Sequence, residues 1–137
     1  MADNNKIAEA LDIKLSQFSS LPTVVQYENT MLDMPDEELG IESFFIPGES
    51  TYPTIGANAP AKEFGIYQIN VVEQPNVGSG RALKKAQEIR SYFNRGTVLV
   101  KDEVNVRIVK STIGPGLTSK VDQKYRVPVS VYYESYS

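Results

Sequence analysis

The fold is decided by residues 64–93, which read FGIYQINVV-EQPNVGSG-RALKKAQEIRSYF. The first nine residues alternate along the chain, and this period of two predicts a β-strand with Tyr67, Ile69 and Val71 on one face. From about residue 81 the apolar residues recur at spacings of three and four, which predicts an amphipathic helix. The buried stripe of that helix is predicted to be Ala82, Ala86, Ile89 and Phe93. A strand followed by such a helix indicates a helix layer packed on a sheet.

The same two periods divide the rest of the chain. Residues 5–18 predict a second amphipathic helix with the stripe Ile7, Leu11, Leu15 and Phe18. Residues 23–27, 42–47, 97–100 and 104–108 predict short strands, and residues 29–40 predict a loop. A long closing strand carries Val121, Tyr125, Val127, Val129, Val131 and Tyr133 mostly on one face. Pro128 requires an edge position or a bulge, or a missing N–H that faces away from the ladder.

Residues 48–62 mix Gly, Pro, Thr and Ala around Tyr52 and Ile55, which predicts an extended hairpin or arm that is poorly buried in the monomer. The complete prediction is a single domain over residues 1–137 in the α+β class. It has a mainly antiparallel or mixed sheet, two amphipathic helices packed on one face, and a projecting β-hairpin or arm. We also expect this arm to become ordered on assembly.

Composition narrows the possible functions. The 137 residues include no cysteine and no histidine. Zinc sites built on these residues and catalytic triads of the Ser-His-Asp type are therefore excluded, and no metal or cofactor site is predicted. No apolar run reaches the ~20 residues that cross a bilayer, and the first residues do not resemble a signal peptide. We expect a protein made in the cytoplasm, with no membrane segment and no catalytic activity.

Charge is distributed unevenly along the chain. The net charge is −3, but residues 15–61 contain no Lys or Arg and seven Asp or Glu. Residues 62–137 carry twelve basic and seven acidic residues. Such a separation is informative about surfaces and partners rather than about the fold.

A nucleotide site is one alternative that the sequence leaves open. Gly78-Ser79-Gly80 lies between the strand and the helix and loosely matches the start of a dinucleotide fingerprint, and Asp102 lies about where a ribose-binding acid would. The third glycine position holds Leu83, however, and the loop is long and contains Pro75. A flexible strand–helix connection is the favoured interpretation.

Two charged clusters also have competing interpretations. Asp36, Glu37 and Glu38, with Asp33 and Glu42, could hold a hard cation, but they lack the calcium-loop pattern, and a solvated acidic loop is favoured. Arg81, Lys84 and Lys85 could contact phosphates, but Glu88 interrupts them, and a solvent-facing side of the helix is favoured. Tyr132, Tyr133 and Tyr136 could anchor an interface or pack in the core.

Several segments resemble the tail terminator proteins of long-tailed bacteriophages. Residues 24–29, VVQYEN, preceded by Leu21-Pro22, are similar to the family's opening strand, and residues 65–71, GIYQINV, to its central strand. The stripe of the second helix and residues 127–133, VPVSVYY, match the second helix and the closing strand. The order of these segments covers nearly the whole chain.

The resemblance implies a virion structural protein without catalysis or cofactor. It implies a ring, commonly sixfold, at the head-proximal end of the tail tube, which ends tube polymerisation and offers a head-attachment surface. The implied partners are other copies of the chain, the tail tube protein and a head-side connector or completion protein, while DNA passes through the channel without sequence-specific binding. Another head–tail joining component, or a small nucleotide-binding domain, is the alternative.

The charge separation adds a hypothesis about the ring. Unlike patches favour the head-to-tail contacts of a closed ring. We expect acids around residues 36–42 to approach basic residues of a neighbouring subunit, whereas the rival interpretation puts the acids along the channel. The candidate interface residues are Asp36, Glu37, Glu38, Glu42, Tyr52, Ile55, Arg81, Lys84 and Lys85.

Overall fold

The computed structural model describes residues 4–18, 24–26, 39–51, 62–74, 78, 80–101, 104–120 and 123–136. Two helices, α1 (Asn4–Ser16) and α2 (Gly80–Tyr92), alternate with seven strands. The strands are β1 (Val24–Gln26), β2 (Gly40–Thr51), β3 (Lys62–Glu73), β4 (Val98–Lys101), β5 (Val104–Ile113), β6 (Leu117–Thr118) and β7 (Tyr125–Tyr136). Both predicted helices are confirmed, to within two residues at each end.

The strands form one sheet in the order β1-β2-β3-β7-β5-β4, and β6 pairs with the first residues of β7. All pairings are antiparallel except β1 with β2, which is parallel. The sheet curls into a half-barrel. This confirms the predicted α+β class and the mainly antiparallel sheet.

Both helices pack on one face of the sheet, which we call the helix-side face. The predicted stripes of the two helices are buried, and they share one apolar cluster with side chains of β2, β3, β5 and β7. The register explains how the strand faces coincide, because Tyr67, Ile69 and Val71 of β3 lie opposite Val131, Val129 and Val127 of β7. Every second residue of both strands therefore contributes to the same core.

A bulge explains why β5 is longer than predicted. Val104, Val106 and Ile108 are buried at a period of two, but the register shifts between Ile108 and Lys110. The extra residue moves the following side chains to the other face, so that Ser111 is buried. The alternation of buried and exposed residues ends at the bulge. The predicted strand therefore ended at Ile108, whereas the strand in the structure continues to Ile113.

Pro128 lies in the centre of the sheet, in a strand with neighbours on both sides. Its carbonyl accepts a hydrogen bond from the Gly114 N–H at 2.9 Å. Since the N–H and C=O of one strand residue point the same way, the missing N–H faces the gap between the end of β5 and the start of β6. Of the arrangements predicted for Pro128, the one confirmed is a missing N–H that faces away from the ladder. The hydrogen-bond ladder between β7 and β3 is therefore unbroken at this proline.

The region predicted as a hairpin or arm is partly described. β2 and β3 form a hairpin that still pairs at Thr51 with Lys62, so both ends of residues 48–62 are strand. Gly65 permits close packing here, because a Cβ atom would lie 2.5 Å from the Ile46 carbonyl oxygen and 2.6 Å from the Tyr133 hydroxyl. Residues 52–61, with Tyr52 and Ile55, lie outside the described residues.

Candidate interaction surfaces

The face of the sheet opposite the helices, which we call the open face, carries an apolar patch beside the β2–β3 hairpin. Ile46 lies opposite Ile66, and Ile66 lies opposite Tyr132, so the three side chains are neighbours across three strands. Phe64 is next along β3 on the same face; its side chain is 40% exposed and that of Ile46 is 44% exposed. Contiguous apolar side chains that remain in solvent are typical of protein–protein contact sites.

Glu42, one of the predicted interface acids, lies on the open face among partners from its own chain. Its carboxylate accepts a hydrogen bond from Arg126 Nε at 2.9 Å and one from Asn70 Nδ2 at 3.5 Å. The three residues belong to β2, β7 and β3, so this ion pair spans the centre of the sheet. Contact of Glu42 with a neighbouring subunit stays a prediction.

Arg81 also has a carboxylate partner within the chain. Its Nε and one terminal nitrogen donate to the two Glu73 oxygens at 2.8 and 2.6 Å, and Glu73 is fully buried at the end of β3. The Arg81 hydrogen bond, helped by the N–H of Gln74, keeps the pKa of Glu73 below its ordinary 4.5 although burial acts in the opposite direction. This bidentate pair ties the start of α2 to the strand that precedes it.

The remaining basic candidates lie on the exposed side of α2. Lys85 Nζ is 3.1 Å from Glu88 and 5.9 Å from the centre of the Phe18 ring, while Lys84 is exposed to solvent. The favoured interpretation of this face as solvent-facing holds for Lys84, whereas the side chain of Lys85 is only 18% exposed.

The other interface candidates, Asp36, Glu37, Glu38, Tyr52 and Ile55, lie outside the described residues. Their roles stay predictions. Within the ranges that the structure describes, no group of three or more Asp or Glu is arranged to hold a metal ion. No helix there is long and apolar enough to cross a membrane.

The topology does not supply the parallel strand–helix–strand unit that a dinucleotide site requires. The strand before Gly80 is β3, and its two neighbours in the sheet, β2 and β7, are both antiparallel to it. The strand after α2 is β4, which lies three places away at the edge of the sheet. The glycines thus precede a helix without the crevice between parallel strands in which such ligands bind.

Three tyrosines of β7 could be assigned to an interface or to the core, and the structure describes the side chains of two of them, Tyr132 and Tyr133, which divide between the two. Tyr133 is buried on the helix-side face and stacks on Phe45 at 5.5 Å, and burial together with the charge of Glu63 raises its pKa to about 12. Tyr132 belongs to the open-face patch, where Lys110 Nζ lies 4.6 Å from the centre of its ring.

One charged site was missed by the sequence analysis. A cleft of about 570 Å³ lies between the C-terminal end of α2 and β5, with Arg90 and Arg95 beside it. Lys110 also lines the cleft, but its Nζ lies over the Tyr132 ring on the open face. We call it the basic cleft. Its cations come from the end of a helix and the turn that follows, and only the fold places them beside β5.

Comparisons with known proteins identify the family. A family model described as phage tail terminator protein matches residues 6–133. Among curated proteins no sequence matches the chain.

Two solved structures share the fold. One, whose name states no function, has a TM-score of 0.71 and 22% identity, and the alignment covers 98% of this chain and 96% of the other. The second, from the virion of a native gene transfer agent particle, has a TM-score of 0.64 and 14% identity and covers 97% and 96%. At these identities the two structures show a common fold alone. The family model, which spans almost the whole chain, shows that the chain belongs to the phage tail terminator protein family and is a structural protein of the virion tail.

Proposed function

We propose that the protein forms a ring, commonly sixfold, on the head-proximal end of the phage tail tube, where it stops tube polymerisation and presents the surface for head attachment. The observation that carries this proposal is the family match over residues 6–133. The protein would act by contact alone, without a cofactor, after assembly in the host cytoplasm.

The open face supports an assembly role. A monomer gains nothing from keeping Ile46 and Phe64 in water, because burying apolar surface is worth roughly 25 cal/mol per Å². A second apolar site lies at the sheet edge, where Val98 and Val100 of β4 are 57% and 69% exposed. Two different patches on one subunit are what a head-to-tail ring contact requires.

The proposed partners are other copies of the chain, the tail tube protein and the head-side completion or connector protein. DNA would pass through the channel without sequence-specific contacts. The overall charge of −3 and the sequence pI of about 5.0 support this point, because a net negative protein repels the phosphate backbone.

Electron microscopy of particles made without this protein tests the proposal directly. Tail tubes longer than normal are expected, because nothing would stop polymerisation. Tails of normal length that are detached from heads would instead assign the protein to head–tail joining and would refute termination.

The ring itself is tested by analytical ultracentrifugation at low and high salt. If unlike patches meet between subunits, assembly should weaken as salt rises, because exposed ion pairs are screened. Assembly that strengthens with salt would favour the rival arrangement, in which crowded acids line the channel.

The absence of catalysis is also a proposal. It rests on the lack of histidine and cysteine and on the antiparallel surroundings of the Gly78–Gly80 connection. Turnover of a nucleotide or ester that disappears on Ser79→Ala or Asp102→Asn would refute it.

A further inference from the structure

We infer that the basic cleft is the receptor for an acidic segment of a second copy of this chain, the stretch from Asp33 to Glu38. This inference rests on the proposed ring, because it names the two surfaces that meet between neighbouring subunits. The hypothesis from the sequence made the Arg81 side of α2 the positively charged partner of the acidic segment. We now assign that role to the basic cleft.

The first argument is that the cations of the basic cleft differ from other cations of the chain in having no nearby carboxylate among the described residues. Arg81, Lys85, Arg107 and Arg126 each lie within 4 Å of a carboxylate of their own chain. For Arg90 and Arg95, the two cations of the basic cleft, the described residues provide no carboxylate within that distance, and none of the eight residues that line the cleft is acidic. The C-terminus of a helix carries roughly half a negative charge, which the two arginine cations exceed.

The second argument is that the cleft is rigid. Ser111 donates its hydroxyl to the carbonyl of Phe93 at the end of α2, and its own carbonyl accepts a hydrogen bond from Arg90 Nε at 3.0 Å. The second bond uses one of the five N–H donors of the guanidinium and fixes its position. A site whose cations are already positioned loses little side-chain entropy when a carboxylate binds.

The third argument concerns the shape of the cleft and the kind of anion that fits it. Gln87 and Asn94 place amide groups beside the cations, and Phe93 and Ser111 are buried at its base. This is a compact recess with hydrogen-bonding groups rather than a long basic stripe, and no exposed aromatic side chain is available for base stacking. Carboxylates on a peptide suit it better than a nucleic acid backbone does.

The fourth argument is the position of the acidic stretch. Asp33, Asp36, Glu37 and Glu38 lie in the connection from β1 to β2, within residues 15–61, which contain no Lys or Arg. That connection starts and ends at one edge of the sheet, while the basic cleft lies on β5 beyond β3 and β7. In a head-to-tail ring, one side of each subunit meets the opposite side of the next. The two complementary charges are therefore placed to meet between copies.

Peptide binding tests the cleft without requiring a ring. The receptor is the full chain with Glu37→Lys and Glu38→Lys, which cannot fill a neighbour's cleft. The probe is a fluorescent peptide of residues 30–41, and its analogue with Asn and Gln for the four acids is the control peptide. We expect the acidic peptide to bind, the neutral analogue to bind at least tenfold more weakly, and binding to weaken with salt.

The decisive variant adds Arg90→Glu and Arg95→Glu to that receptor. We expect at least a tenfold loss of peptide affinity, whereas Lys6→Glu with Lys120→Glu, which changes the net charge equally, should have little effect. Equal losses from the two pairs, or no peptide binding at all, would overturn the inference. So would a 12-base-pair duplex that binds the cleft more tightly than the peptide, which would assign the site to nucleic acid.

Mixed assembly then tests whether the contact joins two copies. A chain with the reversed cleft and a chain with the reversed acids should each fail to self-associate, but a mixture of the two should associate, because each contact pairs opposite charges. Peptide binding without rescue in the mixture would mean that the contact forms within one chain and would overturn the inference. If the unmodified chain never forms rings while the peptide binds as expected, the ring proposal fails and the cleft's specificity for the acidic segment stands.

Discussion

The helix-side face and the open face are two sides of the same strands, and they differ in how completely their apolar residues are buried. On β3, Tyr67, Ile69 and Val71 are almost fully buried under the helices, whereas Phe64 on the opposite side is 40% exposed. Beside the β2–β3 hairpin, one residue along the strand thus separates a buried position, Glu63, from an exposed one, Phe64. The comparison indicates that the helix-side face holds the monomer together and that the open face is kept for contacts with other subunits.

The largest effect should come from the helix-side face. Phe93→Ala or Ile89→Ala removes a fully buried side chain and should lower the free energy of unfolding by about 2–5 kcal/mol, measured by urea melts of the monomer. Leu83→Ala on the exposed side of α2 is the matched control. A loss below about 1 kcal/mol in the first two variants would mean that α2 is not a core element.

The next effect should come from the buried ion pair at the rim of the helix-side face. Glu73→Gln should lower the free energy of unfolding by about 1.5–3 kcal/mol at pH 7, the usual contribution of hydrogen bonds to charged groups. Because folding lowers the pKa of Glu73, its contribution is present above the ordinary value of 4.5 and is lost as the pH falls through the lower, folded value. The difference from the unmodified chain should therefore shrink on acidification.

Glu88→Gln serves as the control for this measurement, since its partner Lys85 is a neighbour on the surface of α2. It should change stability by about 0–1 kcal/mol at pH 7. A constant deficit for Glu73→Gln between pH 7 and pH 3 would contradict the ion-pair explanation.

On the open face, a substitution should weaken assembly while leaving the stability of the monomer nearly unchanged. Ile46→Thr with Phe64→Thr places β-branched residues, which favour strands, at both positions and should cost the monomer no more than about 1 kcal/mol, because both side chains are already partly in water. Self-association measured by analytical ultracentrifugation should weaken at least tenfold. Ile69→Thr, on the same strand but on the helix-side face, should instead destabilise the monomer strongly, and the same loss from both sides would refute the distinction.

The smallest effect should come from an exposed ion pair of the open face. Arg107 is 57% exposed, and its terminal nitrogen lies 3.4 Å from Glu134. A double-mutant cycle with Arg107→Ala and Glu134→Ala should give a coupling of about 0–1 kcal/mol that decreases with salt. A coupling above about 2 kcal/mol would show that this part of the open face also contributes to monomer stability.

Most of the helix-side face could be predicted because its residues repeat at regular intervals. The stripes of α1 and α2 and the alternation of β3 and β7 are local patterns, and they are buried as predicted, on β7 from Val127 to Tyr133. Of the other two residues predicted for that face of β7, Tyr125 is only partly buried and Val121 lies outside the described residues. The prediction became incomplete where a pattern was interrupted. The bulge after Ile108 hid the second half of β5, and Gly48 and Pro47 hid the continuation of β2.

The candidate surfaces were harder to predict, because an interaction surface is assembled from distant residues. Arg81 was predicted from its position on the exposed side of a helix, but its bidentate bond to Glu73 depends on how the β3–α2 connection folds back. Glu42 was recognised as an acid, and its partner Arg126 lies 84 positions further along the chain. The basic cleft has no local signal at all.

By itself, the sequence determined the secondary structure, the class of the fold and the buried stripes, because these follow from the period of the apolar residues. It also determined the separation of charge, because that follows from which residues are ionised. Only the tertiary structure decided which charges are already paired, which face of the sheet remains open and which cations share a cleft. The physical reason is the distance along the chain over which each kind of information acts. Periodicity acts over one or two turns of helix or a few strand residues, whereas Arg90 and Arg95 come to lie beside β5 only after α2 has packed on the sheet.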